Sequence, residues 1–275
     1  MEEYRLDIEG LAIAAHVSRG RGGPALLCLH ANSQDSFSFT GQQGSALGER
    51  LRVVCIDLPG HGASSRAEDP DRVYAMSGYV RVVQHAMRQL EMGPTLLIGH
   101  SLGGHILIQA APQLPDIVGL MVLGTPPLRL PLNVGEAFLP NPLSALIFRE
   151  SLTVDEEWAW ARAQMVHPVP ATLARLQQAM HQTDPRCRSH LGKNSFRGDF
   201  QDECVIVQQL AVPVAIILGD QDPFVNRAYC DALPLPNLWG GGVRILPGCG
   251  HSPHPEQPER FNALLESFIA SCGHG

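Results

Sequence analysis

The sequence predicts a doubly wound α/β domain, in which a mostly parallel sheet is covered by helices on both faces. Three observations predict it. Six short, continuous apolar runs recur along the chain: Ala25 to Leu29, Arg52 to Ile56, Thr95 to Ile98, Val118 to Leu123, Val214 to Leu218 and Val243 to Leu246. Strands buried on both faces read this way, because neither side needs a polar residue. Helix-like segments alternate with them, notably Ser77 to Leu90, Leu102 to Ala111 and Glu256 to Ala270. Finally, Gly99-His100-Ser101-Leu102-Gly103 joins one apolar run directly to one helical segment, as a sharp strand-to-helix turn would.

In chain order, two alternating stretches, Tyr4 to Ile8 and Leu11 to Val17, meet at Glu9-Gly10 and read as an opening hairpin. The segment from Pro127 to Val207 breaks the strand-helix rhythm. It carries Pro131, Pro140 and Pro142, then helix-like stretches at Val154 to Met165 and Ala171 to Gln182. It is read as a helical lid, residues 127–207, inserted into a core formed by residues 1–126 and 208–275. Gly240-Gly241-Gly242 reads as a flexible connector.

A chain of 275 residues with 44% hydrophobic and 17% charged residues can bury one large core. The net charge of -7 and the lack of basic clusters argue against a nucleic-acid partner. The charged start, Met1-Glu2-Glu3-Tyr4-Arg5, lacks an apolar signal core, and no apolar run approaches membrane-spanning length. The expectation is a soluble, cytoplasmic protein without a membrane partner; the oligomeric state is left open. Seven cysteines at irregular spacing, with Cys28 and Cys55 inside apolar runs, read as reduced thiols. The twelve histidines form no metal-ligand cluster, so neither a metal nor any other cofactor is expected.

Serine at such a turn is forced into a strained backbone conformation, so the residues two positions away on either side must be small; here they are Gly99 and Gly103. The turn lifts the hydroxyl of Ser101 clear of the sheet, where a base can reach it. A nucleophilic serine of this kind is completed by an acid and then a histidine further along the chain. The run Val214 to Leu218 leads into Gly219-Asp220-Gln221-Asp222-Pro223-Phe224-Val225, and Asp222 is the preferred acid, with Asp220 as its rival. The next run ends in Pro247-Gly248-Cys249-Gly250-His251, which makes His251 the base, ahead of His254. His100 reads as a packing or hydrogen-bonding residue of the elbow, and His105 as a satisfied buried histidine rather than a base. Oxyanion donors are assigned to the backbone N–H groups of Leu102, which opens the helix, and Asn32, in the loop after the first apolar run. The loop Asp57-Leu58-Pro59-Gly60-His61-Gly62-Ala63-Ser64 is read as structural.

With these motifs in this order, the chain resembles the α/β-hydrolase fold over nearly its whole length. It resembles more closely the metal-independent N-acyl homoserine lactone lactonases of that fold. The stretches that carry this are Asp57-Leu58-Pro59-Gly60-His61-Gly62, Asp69-Pro70-Asp71-Arg72, Ser101-Leu102-Gly103-Gly104-His105-Ile106, Gly119-Leu120-Met121 with Gly124-Thr125-Pro126-Pro127, Asp222-Pro223-Phe224-Val225 and Asn237-Leu238-Trp239. The resemblance implies a serine hydrolase that opens a lactone ring through an acyl-enzyme, with a small-molecule ester or lactone as its partner. Its site would hold Ser101, Asp222 and His251 as catalytic residues, with Trp160, Phe138 and Phe224 contacting substrate. Three departures stand out: Ala31 where the oxyanion loop commonly has glycine, Asp222 where the nearest relatives carry glutamate, and Trp160 where they carry a tyrosine. The alternatives are a general carboxylesterase for small acyl or aryl esters, a carbon-carbon bond hydrolase, and a hydrolase-like receptor with slow turnover. Within the inserted segment, the apolar stretch Ala137 to Phe148 with Trp158 and Trp160 is read as the wall for an acyl chain.

Overall fold

The computed structural model describes residues 1–273; residues 274 and 275, the end of the predicted core, lie outside the described residues. The hairpin forms from β1 (Glu2–Ile8) and β2 (Leu11–Val17). Each predicted run becomes a strand: β3 (Gly22–Leu29), β4 (Leu51–Ile56), β5 (Thr95–His100), β6 (Ile117–Leu123), β7 (Val214–Gly219) and β8 (Arg244–Leu246). One eight-stranded sheet results, in the order β1-β2-β4-β3-β5-β6-β7-β8. β1 and β2 pair antiparallel, as do β2 and β4, while β3 to β8 run parallel.

Alternation along each strand sends neighbouring side chains to opposite faces, and both faces are buried. On one face Leu27, Leu29, Leu97, Val122 and Ile216 pack with Tyr79 and Val83 of helix α1 (Met76–Gln89) and Ile106 of helix α2 (Leu102–Ala110). On the other, Leu26, Ile98, Met121 and Ile217 pack with Phe261, Leu265 and Phe268. This second layer is where expectation and structure differ. The helix predicted over Glu256 to Ala270 is split: a short turn, Pro253–Glu256, ends at Gln257, and the long helix runs over Pro258–Ser271. Gln257 lies outside the α region, with φ -132 and ψ 66, because the residue before a proline is pushed out of it.

β3 has β4 on one side and β5 on the other, so the order of connection reverses at β3/β5. Ligand sites in open parallel sheets lie at such a point, beyond the carboxyl ends of the strands. Leu29 pairs with Gly99 there, which brings the loop carrying Asn32 beside the turn carrying Ser101.

Residues 127–207 lie between β6 and β7 and hold, after two short helical stretches at Val134–Ala137 and Pro142–Phe148, the longer helices α3 (Val154–Ala163), α4 (Pro170–Gln182) and α5 (Arg186–Phe196). α3 begins in a capping box, in which Thr153 Oγ1 accepts the Glu156 N–H at 3.2 Å and Glu156 Oε2 accepts the Thr153 N–H at 2.8 Å. A further helix, α6 (Glu203–Gln209), runs across residue 207 and packs on α2. All seven cysteines are free thiols, six of them buried. No helix among the described residues is long and apolar enough to cross a membrane.

Candidate active site

The turn between β5 and α2 has the geometry the sequence demands. Ser101 sits at φ 50, ψ -113, a conformation that favours glycine, and stays partly exposed between buried neighbours. A Cβ on Gly99 would lie 2.5 Å from the Gly103 backbone, and one on Gly103 would lie 2.3 Å from the Leu29 carbonyl oxygen. Glycine at these two positions therefore lets α2 come down onto the ends of β3 and β5. The Thr125 hydroxyl, 2.8 Å from Leu123 O and 3.2 Å from Ser101 O, ties the turn to the end of β6.

His251 and Asp222 meet at the ends of β8 and β7. His251 Nδ1 donates to Asp222 Oδ2 at 2.8 Å, and both side chains are buried. The other oxygen, Oδ1, accepts the N–H groups of Phe224 at 2.8 Å and Val225 at 3.2 Å. Burial by itself raises the Asp222 carboxyl, but the charge of His251, its hydrogen bond and those two N–H groups outweigh burial and hold it below the usual carboxylate range. An ionised acceptor on Nδ1 leaves Nε2 of the neutral ring free to take a proton. Asp220, the rival acid, points elsewhere: its Oδ1 accepts the N–H groups of Gly248 at 2.7 Å and Cys249 at 3.2 Å, clamping the turn that precedes His251. His254 is fully buried, stacked on Phe39 at 4.4 Å between centroids, and does not line the cavity. His100 is a hydrogen-bonding residue, since its Nε2 donates to the His251 carbonyl at 3.0 Å.

Leu102 opens α2, so its N–H has no intrahelical acceptor. Neither that N–H nor the N–H of Asn32 has a hydrogen-bond partner among the described residues. Ala31 does not distort its loop; the positive φ falls on Ser33, at 59. His30 braces the same loop, donating from Nδ1 to Ala31 O at 2.8 Å and accepting the Leu58 N–H on Nε2 at 3.0 Å.

Ser101 and His251 both line a cavity of about 1050 Å³, counted with its open mouth. Asn32, Phe138, Trp160 and Phe224 line it too. Trp160 and Phe224 lie 5.0 Å apart between centroids, and Phe224 meets the His251 ring edge-on at 5.2 Å. Trp158 takes no part: two positions from Trp160 on one helix, it points away and carries Arg162 over its ring at 5.9 Å.

Motif reading missed the residues that tie the 127–207 segment to this centre. Glu256 Oε2 accepts the Gly250 N–H at 2.7 Å, while Oε1 accepts those of Val166 and His167, both at 2.7 Å. Gln164 O accepts the Ser252 N–H at 2.8 Å. On the acid side, Leu139 N–H donates to Phe224 O at 2.7 Å and Asn226 N–H to Ala137 O at 2.9 Å. Asn32 Nδ2 reaches Ile147 O at 3.4 Å. The position of Glu256, five residues past His251, was the only signal in the sequence. Among the described residues, no three His, Cys, Asp or Glu side chains converge as a metal site.

A family model described as the alpha/beta hydrolase family matches residues 26–264. The chain belongs to the α/β-hydrolase family. Among solved structures of the fold, the N-acyl homoserine lactonase AidH, complexed with N-butanoyl homoserine, superposes with a TM-score of 0.93 at 34% identity, covering 99% of this chain and 97% of that one. An aryl esterase from Burkholderia cenocepacia superposes with a TM-score of 0.83 at 18% identity, over 98% and 99% of the two chains, a likeness of fold alone. In sequence, an esterase of Mycobacterium tuberculosis is 27% identical over 270 residues, 91% of this chain and 84% of that protein.

Proposed function

We propose that this α/β hydrolase opens the lactone ring of N-acyl homoserine lactones through an acyl-enzyme on Ser101, a quorum-quenching activity. That it is a hydrolase of ester bonds rests on its family and on the lactonase, esterase and lipase neighbours around it. The observation that carries the finer reading is that Ser101 and a carboxylate-oriented His251 line the same apolar cavity. Full-length likeness to AidH supports a lactone among ester substrates.

In this reading Ser101 Oγ attacks the lactone carbonyl as His251 Nε2 takes its proton, and Asp222 stabilises the imidazolium so formed. The negative charge that builds on the carbonyl oxygen is met by the N–H groups of Leu102 and Asn32. His251 then returns the proton to the leaving alkoxide, which stays tethered to the acyl group as the ring opens. Water, activated by the same histidine, releases the product and frees Ser101. Residues 127–207 act as a lid whose Phe138 and Trp160, together with Phe224, enclose the acyl chain.

The test is a substrate panel that sets a long-chain acyl homoserine lactone against p-nitrophenyl acetate, beside labelling by a fluorophosphonate probe. Ser101→Ala should abolish both labelling and turnover. Rapid hydrolysis of the aryl ester without lactone turnover would assign a general carboxylesterase instead.

A further inference from the structure

His105 faces the same cavity as Ser101, one helical turn further along α2. Its Nδ1 lies 2.8 Å from Glu203 Oε2, the same separation that joins His251 to Asp222. Glu203 is fully buried, and its carboxylate is held by two more donors: the Leu128 N–H on Oε2 at 2.9 Å and Gln109 Nε2 on Oε1 at 3.1 Å. Sequence reading placed His105 as a satisfied buried side chain, and it is satisfied on one side only. A carboxylate can only accept, so Nδ1 is the ring nitrogen that donates to Glu203, and a ring carrying that single proton presents a lone pair on Nε2. No group among the described residues bonds to that nitrogen, and it is not among the sealed, unpartnered atoms of the interior. Phe138 and Phe200 flank the ring, at centroid distances of 6.5 and 6.3 Å, and both line the cavity. The result is one fixed, unpartnered ring nitrogen set in a largely apolar wall.

We propose that His105, oriented by Glu203, determines specificity by accepting on Nε2 a hydrogen bond from an N–H or O–H carried on the acyl part of the substrate. The inference rests on an ester carbonyl being attacked by Ser101, and does not require that the ester be a lactone. A substrate that places only hydrocarbon against Nε2 leaves that nitrogen desolvated and unpaired, which disfavours it by about tenfold or more in kcat/KM. A substrate with a donor there keeps the bond.

Two matched pairs of p-nitrophenyl esters separate the sources of the donor. The first pair bears an acetamido or an acetoxy group on the α-carbon, exchanging N–H for O; the second bears a hydroxyl or a methyl group on the β-carbon. For the wild type, kcat/KM should favour the donor in at least one pair by about tenfold. The responding pair identifies amide or hydroxyl. In His105→Phe that ratio should fall toward one, whatever the absolute rates. Equal rates within both pairs in the wild type, or a ratio that survives in His105→Phe, overturns the proposal. A second measurement covers a variant that fails to fold, using Ser101→Ala protein labelled with 15N-histidine. Its His105 Nε2 resonance should move on titration with the donor-bearing ester and stay still with its partner; no movement with any donor ester overturns the proposal. If the wild type hydrolyses none of the esters, the ester-hydrolase reading fails and the titration still decides the role of His105.

Discussion

His100, the residue before the candidate nucleophile, donates from Nε2 to the backbone carbonyl of His251 across 3.0 Å. One elbow therefore carries Ser101 and also fixes the main chain of His251, its proposed base. Burial, followed by the neighbouring His254 and His251, pushes the His100 imidazole well below its usual range and keeps it neutral. His100→Phe should remove the tether while filling the space, and lower kcat by about 10- to 100-fold, since small misplacements of a catalytic group have effects of that size. His100→Gln, which retains an N–H donor, should recover part of the loss with KM little changed. Equal kcat in all three proteins would refute the tether.

The two neighbouring aspartates should separate cleanly. Asp222→Asn should lower kcat by about four orders of magnitude with the fold intact, because the imidazole loses the acceptor that sets its tautomer. Asp220→Ala should leave kcat within a few-fold and lower stability by about 1 kcal/mol, as it releases two backbone N–H groups, an exposed one on Gly248 and a part-buried one on Cys249. Circular dichroism melts beside steady-state rates check both; the opposite pattern would move the acid to Asp220.

His254 makes stability depend on pH. Burial, then the nearby His251, lowers its imidazole to about 3 from 6.5, and neither ring nitrogen has a partner. The unfolded chain thus binds a proton that the folded chain refuses, so this contribution is complete above pH 6.5 and is lost as pH falls toward 3. At about pH 5 the loss from this group is about 2 kcal/mol, or about 4–8 °C in Tm. His254→Phe, stacked on Phe39, should flatten the decline of Tm between neutral and mildly acid pH. Parallel curves for wild type and variant would refute it.

Selection by chain length follows from the cavity wall. Each enclosed methylene is worth about 0.8 kcal/mol, about fourfold in kcat/KM. Lactones of increasing acyl length should show that rise until the cavity is filled, and Trp160→Ala, which removes the partner of Phe224, should blunt it. A flat series in both proteins would refute enclosure of the chain.

Every proposed step uses a side chain or an N–H of this chain, so prolonged dialysis against a strong chelator should leave kcat/KM unchanged. A loss restored by zinc would overturn the serine mechanism.

The parts legible in the sequence share one property: they stand immediately after an apolar strand. Ser101, Asp222 and His251 follow β5, β7 and β8, so the strand pattern and the glycine spacing locate them together. Residues whose partners are far away in the chain leave no such mark. Glu256 and Gln164 act through main-chain groups of distant loops, and nothing local distinguishes them from other polar residues. The helix Arg186–Phe196 escaped notice because its buried stripe is only Cys187, Arg188, Leu191 and Gly192, too sparse and too polar for a periodic signal. Trp158 and Trp160 look equivalent as letters, and only the 3.6-residue turn of α3 assigns them to opposite sides.

The stitching of residues 127–207 bears on how this enzyme can be re-engineered. Separate hydrogen bonds join that segment to the loops of Asn32, Asp222 and His251. Such a segment is not an interchangeable cassette. A relative's version transplanted to change substrate range would keep turnover only where its main chain presents N–H groups to Glu256 and Phe224 in the places of Val166, His167 and Leu139. Changes confined to cavity-facing side chains such as Phe138 and Trp160 leave those main-chain bonds in place, and they are the route by which the specificity of this scaffold can drift without loss of its chemistry.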